Sequence, residues 1–138
     1  MSATLHEHVA VDVSSVAGQG VLASAPIAAG TTVVTFDAPL TTVADFGRLN
    51  HSCDPTLGWD GATTLVAVRD VAAGEELTTD YSTAVTDPEF VLRCHCPSSR
   101  CRQMVTGDDW KIRQLQERYA GHWHPAVQRR IDEAARPD

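Results

Sequence analysis

Four cysteines and one dense polar run carry most of the reactive side chains in this chain of 138 residues. The run is Asn50-His51-Ser52-Cys53-Asp54-Pro55, an amide, an imidazole, a hydroxyl, a thiol, a carboxylate and a proline in succession. Polar groups packed inside a protein need partners. Pro55 biases Asp54 toward extended geometry and stops a helix. The run therefore reads as a loop or strand-to-loop junction whose side chains are held by something else. Cys94, Cys96 and Cys101 form the second cluster, spaced to bend around one ion. Pro97-Ser98-Ser99 between them is turn-prone, and Arg100 and Arg102 can offset thiolate charge. Zinc takes four tetrahedral ligands and accepts thiolates readily. Three ligands leave a structural site incomplete, and Cys53 is the only other cysteine. A closed site pins Cys53 against the later segment. The alternative is four unrelated buried thiols. His95 could compete as a ligand, but its neighbours on either side leave it poor geometry.

Other candidates are weaker alone. Gly18-Gln19-Gly20 lets backbone approach a ligand or adopt positive φ, but it has no third spaced glycine and reads equally as a turn. Tyr81 closes Glu75-Glu76-Leu77-Thr78-Thr79-Asp80-Tyr81 and can bury its ring with the hydroxyl aimed inward; by itself it is a core or surface tyrosine. His6 and His8 read as a solvated terminus. His122 and His124 flank Trp123 in a turn and read as capping or surface residues. Trp59, Trp110 and Trp123 read as packing residues, with Trp59 close enough to the polar run to line a pocket.

The elements that must position these residues are mainly strands. Val9, Val11 and Val13 alternate with Ala10 and Asp12 in a period of two. Gly18-Gln19-Gly20 breaks that pattern, and Val21-Leu22-Ala23 resumes it. Ala28-Ala29-Gly30 and Ala72-Ala73-Gly74 read as turns. Thr31–Phe36 and Thr63–Val68 are β-branched and predict strands, and Leu77–Tyr81 predicts a short extended piece. The tail changes period: Ile112, Leu115 and Tyr119 form a helical stripe, with Thr106 or Asp108 as its cap and Gly121 at its end. Pro125 suits the first turn of a second helix, with Val127, Ile131 and Ala134 on its apolar face. Ile112, Leu115, Tyr119, Val127 and Ile131 are expected in the core. No internal repeat is legible.

Whole-chain properties bound the function. The length suits one domain with a real core. No apolar run approaches membrane-span length, and the first residues lack signal-peptide character, so a cytoplasmic location is the expectation. The net charge of −7 argues against direct nucleic-acid binding, which needs a basic face. Charge is uneven: residues 1–92 hold 2 basic and 12 acidic residues, and residues 93–130 hold 8 basic and 3 acidic. The acidic body reads as solvated surface, or as an attractor for a cationic substrate. Four cysteines in such a chain suggest metal before disulfides.

Taken in order, Gly18-x-Gly20, Asn50-His51-Ser52-Cys53-x-Pro55, Gly74-Glu75-Glu76-Leu77-Thr78-x-Asp80-Tyr81 and Cys94-x-Cys96-x4-Cys101 resemble the SET-domain family of S-adenosylmethionine-dependent lysine methyltransferases with its post-SET zinc segment. The resemblance covers about residues 9–106. It implies a mainly β, SET-type β-clip fold of small sheets with a pseudoknot, a C-terminal zinc loop and one or two helices. It divides the chain into a compact SET core (1–92), a post-SET zinc segment (93–107) and a helical tail (108–138). By the same resemblance Gly18, Gln19 and Gly20 present backbone to S-adenosylmethionine. Asn50 and His51 hold its two ends, and Met104 or Val105 covers the adenine. Tyr81 stands where the methyl group is transferred and contacts the cofactor. Cys53, Cys94, Cys96 and Cys101 bind one zinc. The acceptor is then an amine, of a protein lysine or of a small molecule.

The chain also departs from that pattern. Phe36-Asp37-Ala38 stands where the family commonly has Tyr-x-Gly. Only 13 residues separate Phe36 from Asn50, where the family carries a longer insert that walls the peptide groove. Gly47-Arg48-Leu49 replaces an arginine-phenylalanine pair, and Thr56 replaces an asparagine. The substrate region is thus reduced more than the cofactor and zinc regions. Three readings follow: a compact methyltransferase whose groove is completed by the C-terminal helices or by a second copy in a homodimer, an enzyme using the same cofactor on a small molecule, and a silent module that binds cofactor or a partner.

Overall fold

The computed structural model describes residues 3–14, 18–40 and 42–136. Strands β1 (Ala3–Leu5), β4 (Thr32–Phe36), β7 (Thr64–Ala67) and β6 (Leu57–Trp59) form one antiparallel sheet, in the order β1-β4-β7-β6. Strands β2 (Val9–Val13), β3 (Gln19–Ala23), β8 (Glu76–Thr79) and β5 (Asn50–His51) form a second, in the order β2-β3-β8-β5. Strands β9 (Val91–Arg93) and β10 (Met104–Thr106) make a separate hairpin. The β-branched runs became β4 and β7 as expected, because branched side chains pack well on a pleated surface, although consecutive residues are buried on both faces. Val33, Val34 and Phe36 of β4 and Leu65 and Val66 of β7 are buried in the core between the sheets.

Gln19 and Gly20 belong to β3 and pair with Val13 and Asp12. The break expected at Gly18-Gln19-Gly20 is therefore confined to Gly18, whose φ is +48°. Gly20 leaves room for the end of the Glu76 side chain. A Cβ there would lie 2.4 Å from Glu76 Oε2. The two Ala-Ala-Gly turns are related in a way the linear sequence conceals. Ile27 and Val71, the residues before them, pair with each other, and Gly30 and Gly74 donate to Ala67 O and Ala23 O, each at 2.7 Å.

β5 runs parallel to β8, with Asn50 opposite Thr78 and His51 opposite Thr79, and Ser52 N donates to Thr79 O at 3.1 Å. The polar run is thus a two-residue strand followed by a loop. This pairing lays the middle of the chain against a segment some thirty residues later, as a pseudoknot requires.

The tail is shorter-pitched than its periodicity suggests. A 3-10 turn at Asp109–Lys111 precedes α1 (Arg113–Arg118), and α2 spans Pro125–Ala135. Neither Thr106 nor Asp108 caps α1. Its N-cap is Ile112, which makes no side-chain cap bond, while Thr106 Oγ1 donates to Asp109 Oδ1 at 2.9 Å. Ile112 is 39% exposed rather than core, because the 3-10 turn rotates it off the stripe. Leu115, Tyr119, Trp123 and Val127 pack with Trp110 as expected, with Ile131 half-buried beside them. Pro125 opens α2 and His124 caps it, accepting from Ala126 N at 3.1 Å. The tail docks closely: a Cβ on Gly58 would lie 2.8 Å from His122 Cβ and from Val68 Cγ1. Trp59 is fully buried and donates from Nε1 to Thr83 Oγ1 at 3.0 Å. No helix among the described residues is long and apolar enough to cross a membrane.

Candidate active site and four-cysteine centre

The four thiols converge. The Sγ atoms of Cys53, Cys94, Cys96 and Cys101 all lie within 4.8 Å of one another, and Cys53 and Cys94 are 4.0 Å apart. Tetrahedral zinc with Zn–S bonds of about 2.3 Å spaces its sulfurs by roughly 3.8 Å, so donor type, number and spacing fit one zinc ion. The surroundings suit thiolates as well. Arg102 N donates to Cys53 Sγ at 3.3 Å and Cys96 N to Cys94 Sγ at 3.4 Å. Burial pushes the Cys53 thiol up to about 11 and Cys94 higher still. Burial also raises Cys96, but hydrogen bonds, led by Cys53, outweigh it and draw that thiol down to about 7. A dication in the middle would remove the cost of holding these sulfurs as thiolates.

His51 joins the centre to the rest of the site. Tyr81 N donates to its Nδ1 at 3.0 Å. A backbone N–H is always the donor, so the ring proton sits on Nε2, which faces Cys53 Sγ at 3.4 Å. Burial lowers His51 to about 4, against the pull of Asp80. The ring is therefore neutral at physiological pH and serves as a strut between the thiol and the Tyr81 backbone.

Tyr81 is clamped from both sides. Its ring stacks on Phe46, with centroids 4.4 Å apart and planes 5° from parallel. Its hydroxyl donates to Leu49 O at 2.5 Å. Burial raises its pKa to about 12. With its only hydrogen committed to Leu49, the oxygen offers lone pairs. Phe36, where the resemblance suggests a tyrosine, is buried against Phe46 and Trp59. It also borders an apolar cavity of about 350 Å³ with Leu5, Val11, Val34, Phe46 and Leu49.

The next residue, Asp80, is fully buried and organises the whole region. Arg102 donates to it from Nη1 at 2.7 Å and Nη2 at 3.1 Å. Ser82 donates from N at 3.0 Å and Oγ at 2.6 Å. Tyr119 OH, on the tail, donates at 2.8 Å. Burial would raise its pKa, but the Arg102 bonds, with help from Ser82, hold it below the usual carboxylate range. Arg102 also bonds Asp109 Oδ2 from Nε at 3.1 Å. Its side chain answers two carboxylates, its backbone donates to Cys53 Sγ, and its charge favours the Cys53 thiolate as expected. Arg100 instead faces Asp54 at 3.7 Å.

Asn50, His51 and Tyr81 line one cavity of about 150 Å³ with Leu92, Arg93, Cys94 and His95. An adjoining cavity of about 340 Å³ is lined by Arg93, His95, Gln103 and Met104. Met104 is 50% exposed on this face, whereas Val105 is fully buried against the cysteines. Of the two residues considered as a cover, only Met104 faces the cavity. Gly18, Gln19 and Gly20 do not line it. They adjoin it through Asn50, whose Nδ2 donates to Gln19 O at 3.0 Å, to Ser14 Oγ at 3.1 Å and to Glu76 Oε2 at 2.9 Å. Sequence reasoning missed Phe46, Asp80 and Arg93, and it named Arg102 only for its charge beside the thiolates. The adjacency of Asp80 to Tyr81, and of Arg93 and Arg102 to ligand cysteines, was the only signal available.

Comparison with known proteins agrees with this picture. Residues 35–82 match the model of the SET domain. Histone-lysine N-methyltransferase ash1 of Drosophila melanogaster is 32% identical over 79 residues, covering 52% of this chain and 4% of that protein. Methyltransferase flvH of Aspergillus flavus is 31% identical over 80 residues, covering 56% of this chain and 45% of that protein. This chain thus spans less than half the length of either relative. The crystal structure of KRYPTONITE in complex with mCHH DNA, H3(1-15) peptide and SAH superposes with a TM-score of 0.53 at 24% identity, over 72% of this chain and 30% of that one. The matched SET-domain segment contains the knotted Asn50–Tyr81 core, and the likeness of fold to the KRYPTONITE structure extends beyond it.

Proposed function

We propose that this chain is a SET-type, S-adenosylmethionine-dependent methyltransferase acting on an amine, with a protein lysine as the favoured acceptor and one structural zinc in the four-cysteine site. The observation that carries the reading is the cavity in which Asn50, His51 and Tyr81 meet the hairpin of residues 91–106. Its polar donors, its phenol and its adjoining Met104 suit a cofactor with a polar amino-acid end and a flat purine. SAH in the KRYPTONITE complex and the methyltransferase names of the sequence relatives support the same cofactor. S-adenosylmethionine supplies an electrophilic methyl group when bound.

The chain's own residues supply alignment. Tyr81 presents lone pairs at a fixed point, because Phe46 holds the ring and Leu49 O takes the proton. With a pKa near 12 it stays a phenol at neutral pH, so it orients an amine N–H rather than acting as a strong base. An acceptor amine with a free pKa of about 10.4 must lose its proton first, and a desolvating channel beside a cation favours that loss. Alignment of this kind lowers barriers by removing the entropy of encounter. We read residues 93–107 as the post-SET segment.

The acceptor choice rests on the H3 peptide in the KRYPTONITE complex and the histone-lysine names of several relatives. The open apolar cavity beside Phe36 and Leu49, where no insert closes the surface, favours a small-molecule amine as the second reading. Titration of the zinc-loaded protein with S-adenosylmethionine, followed by transfer of labelled methyl to lysine peptides and to small amines, tests both. Binding with transfer to peptide supports the first reading, and transfer to small amines alone the second. No binding overturns both.

A further inference from the structure

We propose that Arg93 is the counter-charge for the carboxylate of the cofactor's amino-acid end, so that the zinc hairpin sets the protein's preference for a carboxylate-bearing ligand. The inference rests on the cofactor reading given above and deepens it.

Three observations lead to Arg93. First, it lines both cavities beside Tyr81, and the two cavities meet at Arg93 and His95. Second, the first 92 residues contain only two cations, Arg48 and Arg69, and each lines a different cavity. Both ring nitrogens of His51 are engaged, Nδ1 by Tyr81 N and Nε2 beside Cys53 Sγ, and Asn50 Nδ2 is already directed at Gln19 O, Ser14 Oγ and Glu76 Oε2. A carboxylate entering beside Asn50 and Tyr81 therefore finds no permanent positive charge on the β body. Third, the hairpin is built to aim this residue. Arg93 pairs with Met104 across the ladder, so both side chains leave the same face, while Leu92 and Val105 turn toward the cysteines.

The turn before Met104 enforces that register. Met104 N donates to Arg102 O at 2.7 Å, closing a three-residue turn around Gln103, whose φ is +65°. It is the only non-glycine residue at positive φ among the described residues. Such a conformation persists where surrounding structure over-determines it. Here Cys101 and the Arg102 backbone are fixed to the thiol cluster, and the Arg102 side chain is fixed to Asp80 and Asp109. The chain must then reverse within one residue to send Met104 out to the cavity opposite Arg93. Arg93 has no carboxylate partner among the described residues, and a guanidinium offers a planar pair of donors that matches a carboxylate.

The test is a pairwise comparison by calorimetry on zinc-loaded protein. Wild type and Arg93→Gln are titrated with S-adenosylmethionine and with its decarboxylated analogue. A charged hydrogen-bond pair is worth roughly 10- to 100-fold in affinity. Wild type should prefer the carboxylate-bearing ligand by about that factor. Arg93→Gln should lose the preference while binding the decarboxylated analogue like wild type, and Arg93→Lys should recover part of it. Equal weakening toward both ligands, or no change toward either, overturns the proposal. Zinc content of each variant is measured alongside. If Arg93→Gln fails to hold zinc, the wild-type preference and the Arg93→Lys comparison decide, and a wild type indifferent to the carboxylate overturns it. A wild type that binds neither ligand overturns the methyltransferase reading and this inference together.

Discussion

Tyr81 and Asp80 are neighbours with opposite duties. Tyr81 reaches the cavity, and substitution by Phe removes its hydroxyl while keeping the ring that stacks on Phe46. Tyr81→Phe should therefore lower methyl transfer roughly 100-fold through lost alignment, with cofactor affinity unchanged by calorimetry. A variant that turns over like wild type would sink the orienting role. Asp80 lines neither of the two cavities beside Tyr81 and instead gathers Arg102, Ser82 and Tyr119. Asp80→Asn takes away one of Arg102's two carboxylates and leaves Asp109, so the loss should not exceed the roughly 3–5 kcal/mol of a fully broken buried pair. Urea denaturation measures it. The pH dependence has a definite sign. Asp80's folded-state pKa lies below its ordinary value of 3.8. Its contribution is complete above that value and is lost as pH falls through the lower folded-state one. Wild type should show this acid loss in chelator-free denaturation series, and Asp80→Asn should show a shallower slope over the same window.

The elements are short, and their contacts rather than their propensities hold them. β5 has two residues, and β6, β9 and β10 have three each. Close approach takes the place of length. At Gly58, His122 and Val68 occupy the space a side chain would need, which lets β6 lie directly under the turn between α1 and α2. Gly58→Ala should cost roughly 1–3 kcal/mol by overpacking. It should also raise hydrogen exchange in residues 119–127, as the turn is pushed off the sheet. Unchanged stability and exchange would mean that the tail does not depend on this contact. The paired turns at Ile27–Gly30 and Val71–Gly74 show the same economy. Each supplies a few hydrogen bonds to the opposite strand, and together they bridge the two sheets.

At the scale of the molecule, the four thiols bring Cys53 of the core together with three cysteines of the later segment. His51, Arg102 and the hairpin are all referenced to them. Structural zinc contributes on the order of 10 kcal/mol to small metal-held folds. Chelation should thus melt the hairpin, abolish cofactor binding and sharply lower the thermal midpoint. Elemental analysis should find one zinc per folded chain. A chelated protein with an unchanged melting curve would remove zinc from the account of this fold.

Residue type and spacing singled out the cysteine set and the polar run, because such groups are costly to bury without partners, whereas Gly18, Gln19, Gly20 and Tyr81 drew their candidate roles from the family resemblance. The β-branched strands β4 and β7 were legible from their side-chain type. Tertiary structure alone decided the remainder. Strands of two or three residues have no period to read, so β5, β6, β9 and β10 exist only through their partners. Ile112 sits on the helical stripe in sequence yet lies exposed, because a 3-10 turn offset the register. Asp80, Arg102 and Tyr119 are ordinary residues until folding brings them together, across 22 and 39 positions. A charge's role depends on which partner the fold places within reach, and neither Arg102's commitment to Asp80 nor Arg93's place beside the cavity is written in local spacing.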